Sequence, residues 1–372
     1  MRRFTDRAIL ILNVLAALGM ILSYLAPLIN PAKVFLPALF GLAYPYILIV
    51  NLLFICYWLI RLKKEIFISI VVILIGWSHL NNMVPLNFKD AKIPDSSNPD
   101  QMFKALSYNV RGFDVYRWTS DPHVKNEIFD FIQKQKPDIL CFQEYYTSDQ
   151  RTDTHKANSN LLPALSQSAV YYSAGKNRNR GFGIATFSKY PIIKKSRIPF
   201  NSTSNAAMYT DILFRTDTIR VFNIHLQSIK FHEENYAFID TASLKYSNKQ
   251  MREIKEIGSR LRTAFSMRAE QAQMIANYIK DSPYPVVVMG DFNDTPQSYA
   301  YRRIRKGIED AFRKAGRGFG NTYAGELPSF RIDYIMYSDP FIPYQFKRIK
   351  TDYSDHFPIS TWLSLPGITT SE

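Results

Sequence analysis

Cysteine is almost absent. Cys56 and Cys141 are the only two in 372 residues. One lies in an apolar run and the other in a strand pattern, with nothing to pair them. No disulfide is expected, and the compartment stays open. Acidic charge is also short: 32 Asp and Glu stand against 46 Lys and Arg, a net charge of +14. That excess favours anionic partners such as phosphate esters, nucleic acid or anionic lipid, although a basic surface without a specific partner accounts for the charge equally well. No internal repeat is present, which excludes solenoids and propellers.

What is abundant is apolar sequence near the N-terminus. Residues 8–25 carry no charge and are long enough to cross a hydrocarbon core of about 30 Å. No small-residue cleavage site follows, which argues against a signal peptide. A second long run, 34–60, comes next, and then a shorter one, 66–80, which contains Trp77 and His79. Three spans are expected. Arg2, Arg3 and Arg7 precede the first run, Arg61, Lys63 and Lys64 separate the second from the third, and Lys33 stands alone between. The positive-inside rule then puts the N-terminus in the cytoplasm and everything after residue 80 outside. If the short third run lies only in the interface, the C-terminal domain falls in the cytoplasm instead. Residues 1–83 thus read as a membrane segment, 84–101 as a Pro/Asp/Ser-rich linker and 102–372 as a soluble domain.

In that domain, strand patterns at 103–110, 138–143, 183–188, 207–214, 218–224, 286–289, 331–337 and 358–363 are interspersed with helical spacing at 124–136 and 267–280. The mixture implies an α/β domain with mixed sheets. Residues 229–265 have no strand pattern and read as an insertion, a lid or a substrate-facing element. The strands end in polar residues: Asn109, Gln143-Glu144, His225, Asp291 with Asn293, Asp333, and Asp355-His356 before the last. Singly, each is a turn residue, a solvated acid or a satisfied histidine. Six such endings, none bearing Lys, point to a sheet rim that collects a ligand. Three further features keep two readings. Lys176, Arg178 and Arg180 form a solvated loop or bind phosphate. Tyr145 and Tyr146 stack on substrate or pack. Arg302, Arg303, Arg305 and Lys306 face water or anionic lipid.

Ser107-Tyr108-Asn109-Val110-Arg111, Asp138-Ile139-Leu140-Cys141-Phe142-Gln143-Glu144, Asn223-Ile224-His225-Leu226, Gly290-Asp291-Phe292-Asn293, Arg331-Ile332-Asp333-Tyr334-Ile335 and Ser354-Asp355-His356 occur in this order. The set resembles the endonuclease/exonuclease/phosphatase superfamily of DNase I-like nucleases, apurinic endonucleases, inositol-polyphosphate 5-phosphatases and neutral sphingomyelinases. It covers about residues 102–365. With the N-terminal segment, the arrangement is similar to membrane-anchored members from Bacteroidetes-type bacteria. The resemblance implies a four-layer sandwich of two mixed β-sheets flanked by helices, here preceded by a transmembrane helical segment in a bacterial inner membrane.

Phosphodiester cleavage needs a metal, an in-line water and stabilisation of the leaving oxygen. Mg²⁺ prefers carboxylate oxygens plus retained waters. Glu144 is therefore the natural first ligand, with Asn109 and Asp355 near it; the matching Glu holds the metal in the family. Mn²⁺ is the alternative ion. Asp291 is expected to orient or deprotonate the water, and Asn293 to bind a phosphate oxygen. His356 is expected to contact the scissile phosphate, with Asp333 on its other ring nitrogen favouring the charged form. His225 matches a second histidine of the DNase I and sphingomyelinase branches, which implies a role at the transition state or leaving group. Asp291 and His356 both stay open as general base. The expected function is a membrane-anchored, metal-dependent phosphodiesterase acting on nucleic acid or phospholipid headgroups beside a lipid bilayer. The rivals are a phosphomonoesterase of inositol-phosphate type and a non-catalytic tethered binding module.

Overall fold

A computed structural model of the chain describes residues 2–87, 91–94, 98–119, 121–148, 151–172, 181–200, 205–229, 248–325 and 329–366. Lys176, Arg178, Arg180 and residues 230–247 of the expected insertion lie outside the described residues.

The N-terminal segment forms α1 (Arg2–Leu25), α2 (Leu36–Leu42), α3 (Tyr44–Ile60), α4 (Ile66–Ile75) and α5 (Trp77–Met83). Within α1, Phe4–Leu25 is long and apolar enough to cross a membrane. The second expected run is not one straight helix: α2 and α3 meet at 67°, and α4 and α5 at 70°. The first break falls at Ala43 beside Pro45, which has no N–H to continue the helix; the second falls at Gly76. If each bent pair is one span, the segment crosses up to three times.

These helices bury an apolar cluster that includes Met20, Tyr44 and Val72 together with a few polar side chains, and expose apolar ones. Asn13, Asn51 and Ser69 are fully buried, whereas Leu15, Leu53, Ile60 and Leu74 are exposed. Asn13 Nδ2 donates to Ser69 Oγ at 2.7 Å, Ser69 Oγ to Asn51 Oδ1 at 2.9 Å, and Trp58 Nε1 to Asn13 Oδ1 at 2.9 Å. At one end of the bundle Arg61 pairs with Asp6 at 3.0 Å. At the other, Gln297 of the sandwich donates to Ser23 O and meets His79 Nδ1, both at 3.0 Å, and Arg331 donates to Asn82 O at 2.6 Å.

The rest of the chain runs β1 (Met102–Asn109), α6 (Val124–Gln135), β2 (Ile139–Thr147), α7 (Arg151–Asn160), β3 (Gln167–Tyr172), β4 (Gly181–Ser188), β5 (Ile192–Ile198), β6 (Ala206–Phe214), β7 (Asp217–His225), α8 (Asn248–Lys280), β8 (Val286–Asp291), α9 (Tyr299–Ile304), β9 (Glu309–Asp310), α10 (Ala311–Ala315), β10 (Asp333–Tyr337), β11 (Ile342–Arg348) and β12 (Ile359–Ser364). Two six-stranded mixed sheets result, ordered β11-β12-β1-β2-β4-β3 and β5-β6-β7-β8-β10-β9. Phe103, Ala105, Ile139 and Cys141 of the first sheet pack on Val221, Val287, Met289 and Ile335 of the second. On the outer faces, Ile128, Phe129 and Ile132 of α6 cover Leu106 and Phe142, and Ala272, Ile275 and Tyr301 of α8 and α9 cover Phe222 and Val288. This is the expected four-layer sandwich. Burial on both faces explains why β8 reads as a continuous apolar run.

Two expectations change. Residues 248–265 are not irregular: α8 begins at Asn248 rather than near 267, and Ile257, Leu261 and Phe265 recur at helical spacing within it. Edge strands β3, β5 and β11 went unforeseen. β5 exposes Lys194, Lys195 and Arg197, and such charges blunt an edge while hiding its strand pattern. Both cysteines are free, with Cys56 exposed and Cys141 buried.

Candidate active site

At one end of the sandwich the rows that face inward between the sheets turn from apolar to polar. Along β1 the row is Phe103, Ala105, Ser107, Asn109. Along β7 it is Ile219, Val221, Asn223, His225, and along β8 Val287, Met289, Asp291. Along β10, read backwards, it is Tyr337, Ile335, Asp333. Strand register sets the ends level: Asp291 lies opposite both His225 and Asp333. Two buried amides form the transition layer. Gln143 Nε2 donates to Asn223 Oδ1 at 2.8 Å, and Asn223 Nδ2 donates to Ala185 O at 3.0 Å and Phe142 O at 3.2 Å.

Glu144 reaches this rim through a bulge. The β2–β4 register shifts between Phe142 and Tyr145, and Glu144 has φ 51°. Gln143 faces inward, yet Tyr145 joins the outer core, so Glu144 is the extra residue that re-aims the strand. Gly290 is required where β8 meets β7: its φ is 146°, and a Cβ there would stand 1.9 Å from Ile224 O.

Asp291 is the hub. Its Oδ2 accepts from Asn109 Nδ2 at 3.0 Å and Asn293 Nδ2 at 3.1 Å. His225 Nε2 stands 3.6 Å from the same oxygen and His356 Nε2 3.8 Å. Its Oδ1 accepts from the Asn293 N–H at 2.7 Å. Asn109 Nδ2 also donates to Glu144 Oε1 at 3.3 Å, and His225 Nε2 lies 3.7 Å from that oxygen. Asn109 thus bridges the two carboxylates, while its Oδ1 accepts from Arg111 N–H at 3.0 Å. Asp355 lies beside them, 3.4 Å from Arg111 Nε, and Ser354 Oγ donates to Asn109 O at 2.8 Å. Asp333 Oδ2 bonds His356 Nδ1 at 2.9 Å, the pairing expected from sequence. Asn293 donates its amide hydrogens to Asp291 Oδ2 and Leu226 O, so it orients Asp291.

Burial raises the pKa of Glu144, and the neighbouring Asp355 raises it further. Burial likewise raises Asp291, reinforced by Asp333 and opposed by His356 and His225. For His356, burial disfavours the charge, but Asp333 and Asp291 outweigh it and hold the pKa well above the ordinary histidine value.

The sequence pattern of the endonuclease/exonuclease/phosphatase family matches residues 106–356, which include every residue of this rim. The chain belongs to that family. Residues 6–83 match a domain of unknown function (DUF8431). No curated protein matches the sequence. Among solved structures, the endonuclease/exonuclease/phosphatase of Beutenbergia cavernae is 14% identical, covering 72% of each chain with a TM-score of 0.52. The human Nocturnin catalytic domain with bound sulfate is 18% identical over 75% of this chain and 97% of that one, at 0.51. A Bacteroides thetaiotaomicron endonuclease/exonuclease/phosphatase family protein is 18% identical over 71% and 98%, also at 0.51. These likenesses establish the fold.

For an endonuclease/exonuclease/phosphatase family member, the donor set suits a hard divalent cation. Glu144 and Asp355 are carboxylates close enough to raise the pKa of Glu144, and a cation between them would relieve that repulsion. A second grouping, Asp291, Asp333 and His356, has ligand atoms within 4.8 Å of one another. There the Asp333–His356 hydrogen bond already occupies one nitrogen. Several residues of the rim gave no sequence signal. Thr322 Oγ1 accepts from the N–H groups of Ile332 and Asp333, both at 3.0 Å, and Tyr323 meets His356 edge-on at 5.4 Å. Arg268, buried in α8, lies 3.3 Å from Asp294 and donates to Asn293 O, bracing the turn after β8. Tyr145 is buried in the outer core, so it packs.

Proposed function

We propose that the chain is a membrane-anchored, Mg²⁺-dependent phosphoesterase that favours phosphodiesters. The observation that carries this is the convergence on Asp291 of Asn109, Asn293, His225 and His356, with Glu144 joined to it through Asn109. Glu144, Asp355 and Asn109 would hold the ion. Mg²⁺, or Mn²⁺ in its place, supplies neutralisation of phosphate oxygens and polarisation of phosphorus. Asp291, its pKa raised by burial, takes the proton of the attacking water. His356, charged and held by Asp333, donates to a phosphate oxygen, which favours Asp291 over His356 as the base. His225 stands on the side of Asp291 away from Asp333 and gives a proton to the departing alkoxide as the P–O bond breaks. Asn293 keeps Asp291 aimed.

Two observations support three crossings with the sandwich on the far side of the membrane from the N-terminus. The Asp6–Arg61 pair and the Ser23–Gln297 contact lie at opposite ends of the bundle, and the bundle exposes apolar side chains while its interior carries interhelical hydrogen bonds. Alkaline phosphatase fused after Leu86 is expected to be active; an inactive fusion would reverse that orientation. For the chemistry, the purified full chain is expected to hydrolyse bis-p-nitrophenyl phosphate with Mg²⁺, faster than p-nitrophenyl phosphate, and to stop in EDTA. Activity that survives EDTA would sink the mechanism.

A further inference from the structure

The cleft above Asp291 has two unlike walls. One is the polar rim. The other is apolar and comes from elements outside the two sheets: Leu39, Leu42 and Tyr46 of α2 and α3 on one side, and Ile257, Leu261 and Phe265 of α8 on the other. The cleft encloses about 480 Å³. Phe35 meets Phe265 at 5.9 Å between ring centroids, so the N-terminal segment and α8 close on each other there. Tyr46 is 48% exposed, and Leu39, Leu42, Ile257 and Leu261 are only half-buried. These apolar side chains stand where an enzyme acting on a polyanion presents Lys and Arg.

Charge argues in the same direction. Among the described residues of the cleft, Arg268 is the permanent cation, and it is buried against Asp294 and the Asn293 carbonyl. Arg111 and Lys350 lie on the Asp355 side, away from the apolar walls, so among the described residues a nucleic acid strand running between those walls would meet no exposed cation. An amphiphile fits better, because its single phosphate needs only the rim and its chain needs an apolar wall. The helices that form the wall also carry Leu36, Ile49 and Leu53 exposed, so the wall shares its elements with the face offered to lipid.

Resting on the phosphoesterase reading above, we infer that the N-terminal segment is part of the active site and that the substrate is a lipid phosphoester. Its phosphate sits at Asp291, and its hydrocarbon chain lies between α2–α3 and α8. The test uses the full-length protein with Mg²⁺ in phosphatidylcholine–detergent mixed micelles. It compares two esters with the same scissile bond, methyl and hexadecyl p-nitrophenyl phosphate. The expected kcat/KM is about 50-fold higher for the hexadecyl ester, since burying the chain adds binding that the methyl ester lacks. That ratio falls about fivefold or more in Leu42→Asn and in Leu261→Asn, which act from opposite walls. Partitioning into micelles would favour the hexadecyl ester equally in all three proteins, so the fall in the ratio is the decisive reading. A ratio near one in the wild type, or an unchanged ratio in both variants, overturns the inference. Faster Mg²⁺-dependent cleavage of a single-stranded oligonucleotide than of the hexadecyl ester overturns it in favour of nucleic acid. No turnover of either ester overturns the phosphoesterase reading, and this one with it.

Discussion

The two halves of the molecule both bury apolar clusters, but they differ in what they expose. Between the sheets the interior is dominated by Phe103, Val221, Val287 and Ile335, and polar groups gather at the rim. In the N-terminal bundle the interior holds Asn13, Asn51 and Ser69 beside Met20, Tyr44 and Val72, and the outside carries Leu15, Leu53 and Ile60. Each half hides what its surroundings would reject. Water drives apolar surface inward in the sandwich. In lipid that drive is absent, and helices associate through packing and interhelical hydrogen bonds. On the proposed reading the site lies where the two regimes meet, and its cleft has one polar and one apolar wall.

The comparison breaks hardest at the rim, where the sandwich buries carboxylates for chemistry rather than for stability. Glu144→Gln keeps the shape and removes the charge. On the proposed mechanism kcat/KM on bis-p-nitrophenyl phosphate falls about 10³-fold or more, roughly 4 kcal/mol of barrier. Thermal stability holds or rises, because a partly buried carboxylate with a raised pKa no longer has to ionise. Wild-type turnover in this variant would remove Glu144 from the metal site.

A lysine placed on each surface reads the two solvents directly. Leu53 of α3 is 63% exposed and Ile193 of β5 is 55% exposed, so neither substitution opens a cavity. In lipid, Leu53→Lys costs about 3 kcal/mol of insertion. In water, Ile193→Lys stays within about 0.5 kcal/mol. The yield of membrane-integrated protein after alkaline extraction, beside the melting temperature of each variant, separates the two. Equal tolerance of both lysines would mean that the bundle surface faces water.

Legibility follows the same divide. The sandwich core was plain in sequence because rows buried on both faces leave long apolar runs, as at Val286–Asp291. The site residues were legible because inward rows end in polar side chains at the strand tips. The edge strands were not, since Lys194, Lys195 and Arg197 interrupt the pattern of β5. Nor was the bulge at Glu144, a backbone event that no side-chain period reveals. The contacts of Asn293 were not legible, because its spacing from Asp291 says nothing about where its amide hydrogens go. The bends beside Pro45 and at Gly76 were hidden inside uniformly apolar runs. The apolar wall of the cleft was out of reach, because it joins residues near 40 to residues near 260.

The rim also differs from the bundle in holding a titrating pair. Asp333 and Asp291 keep His356 charged above its ordinary range despite burial. On the proposed mechanism His356 therefore donates through neutral pH, and the alkaline limb of activity marks the loss of its proton, while the acidic limb belongs to Asp291. Asp333→Asn removes one of the two stabilising charges, so the proton leaves earlier and the alkaline limb of the kcat profile moves to lower pH. The loss at neutral pH is about tenfold, roughly 1.4 kcal/mol. A limb that stays in place would detach His356 from that role.

The smallest effect is the sharpest test of what surrounds the bundle. Asn51 accepts from Ser69 Oγ at 2.9 Å and donates to Ile47 O at 2.9 Å and Ala16 O at 3.3 Å, so Asn51→Leu removes two interhelical bonds from a fully buried position. In a water-soluble core, the stranded Ser69 hydroxyl would cost about 1–3 kcal/mol, because the unfolded chain would hydrogen-bond to water instead. In lipid, the separated helices also find polar partners, and the net worth of such a bond averages about 0.6 kcal/mol. Denaturation of the full chain in mixed micelles is therefore expected to register a loss near the lower figure for each bond. A loss of about 2 kcal/mol or more would mean that the bundle is an ordinary core, and that its exposed apolar face has another cause than lipid.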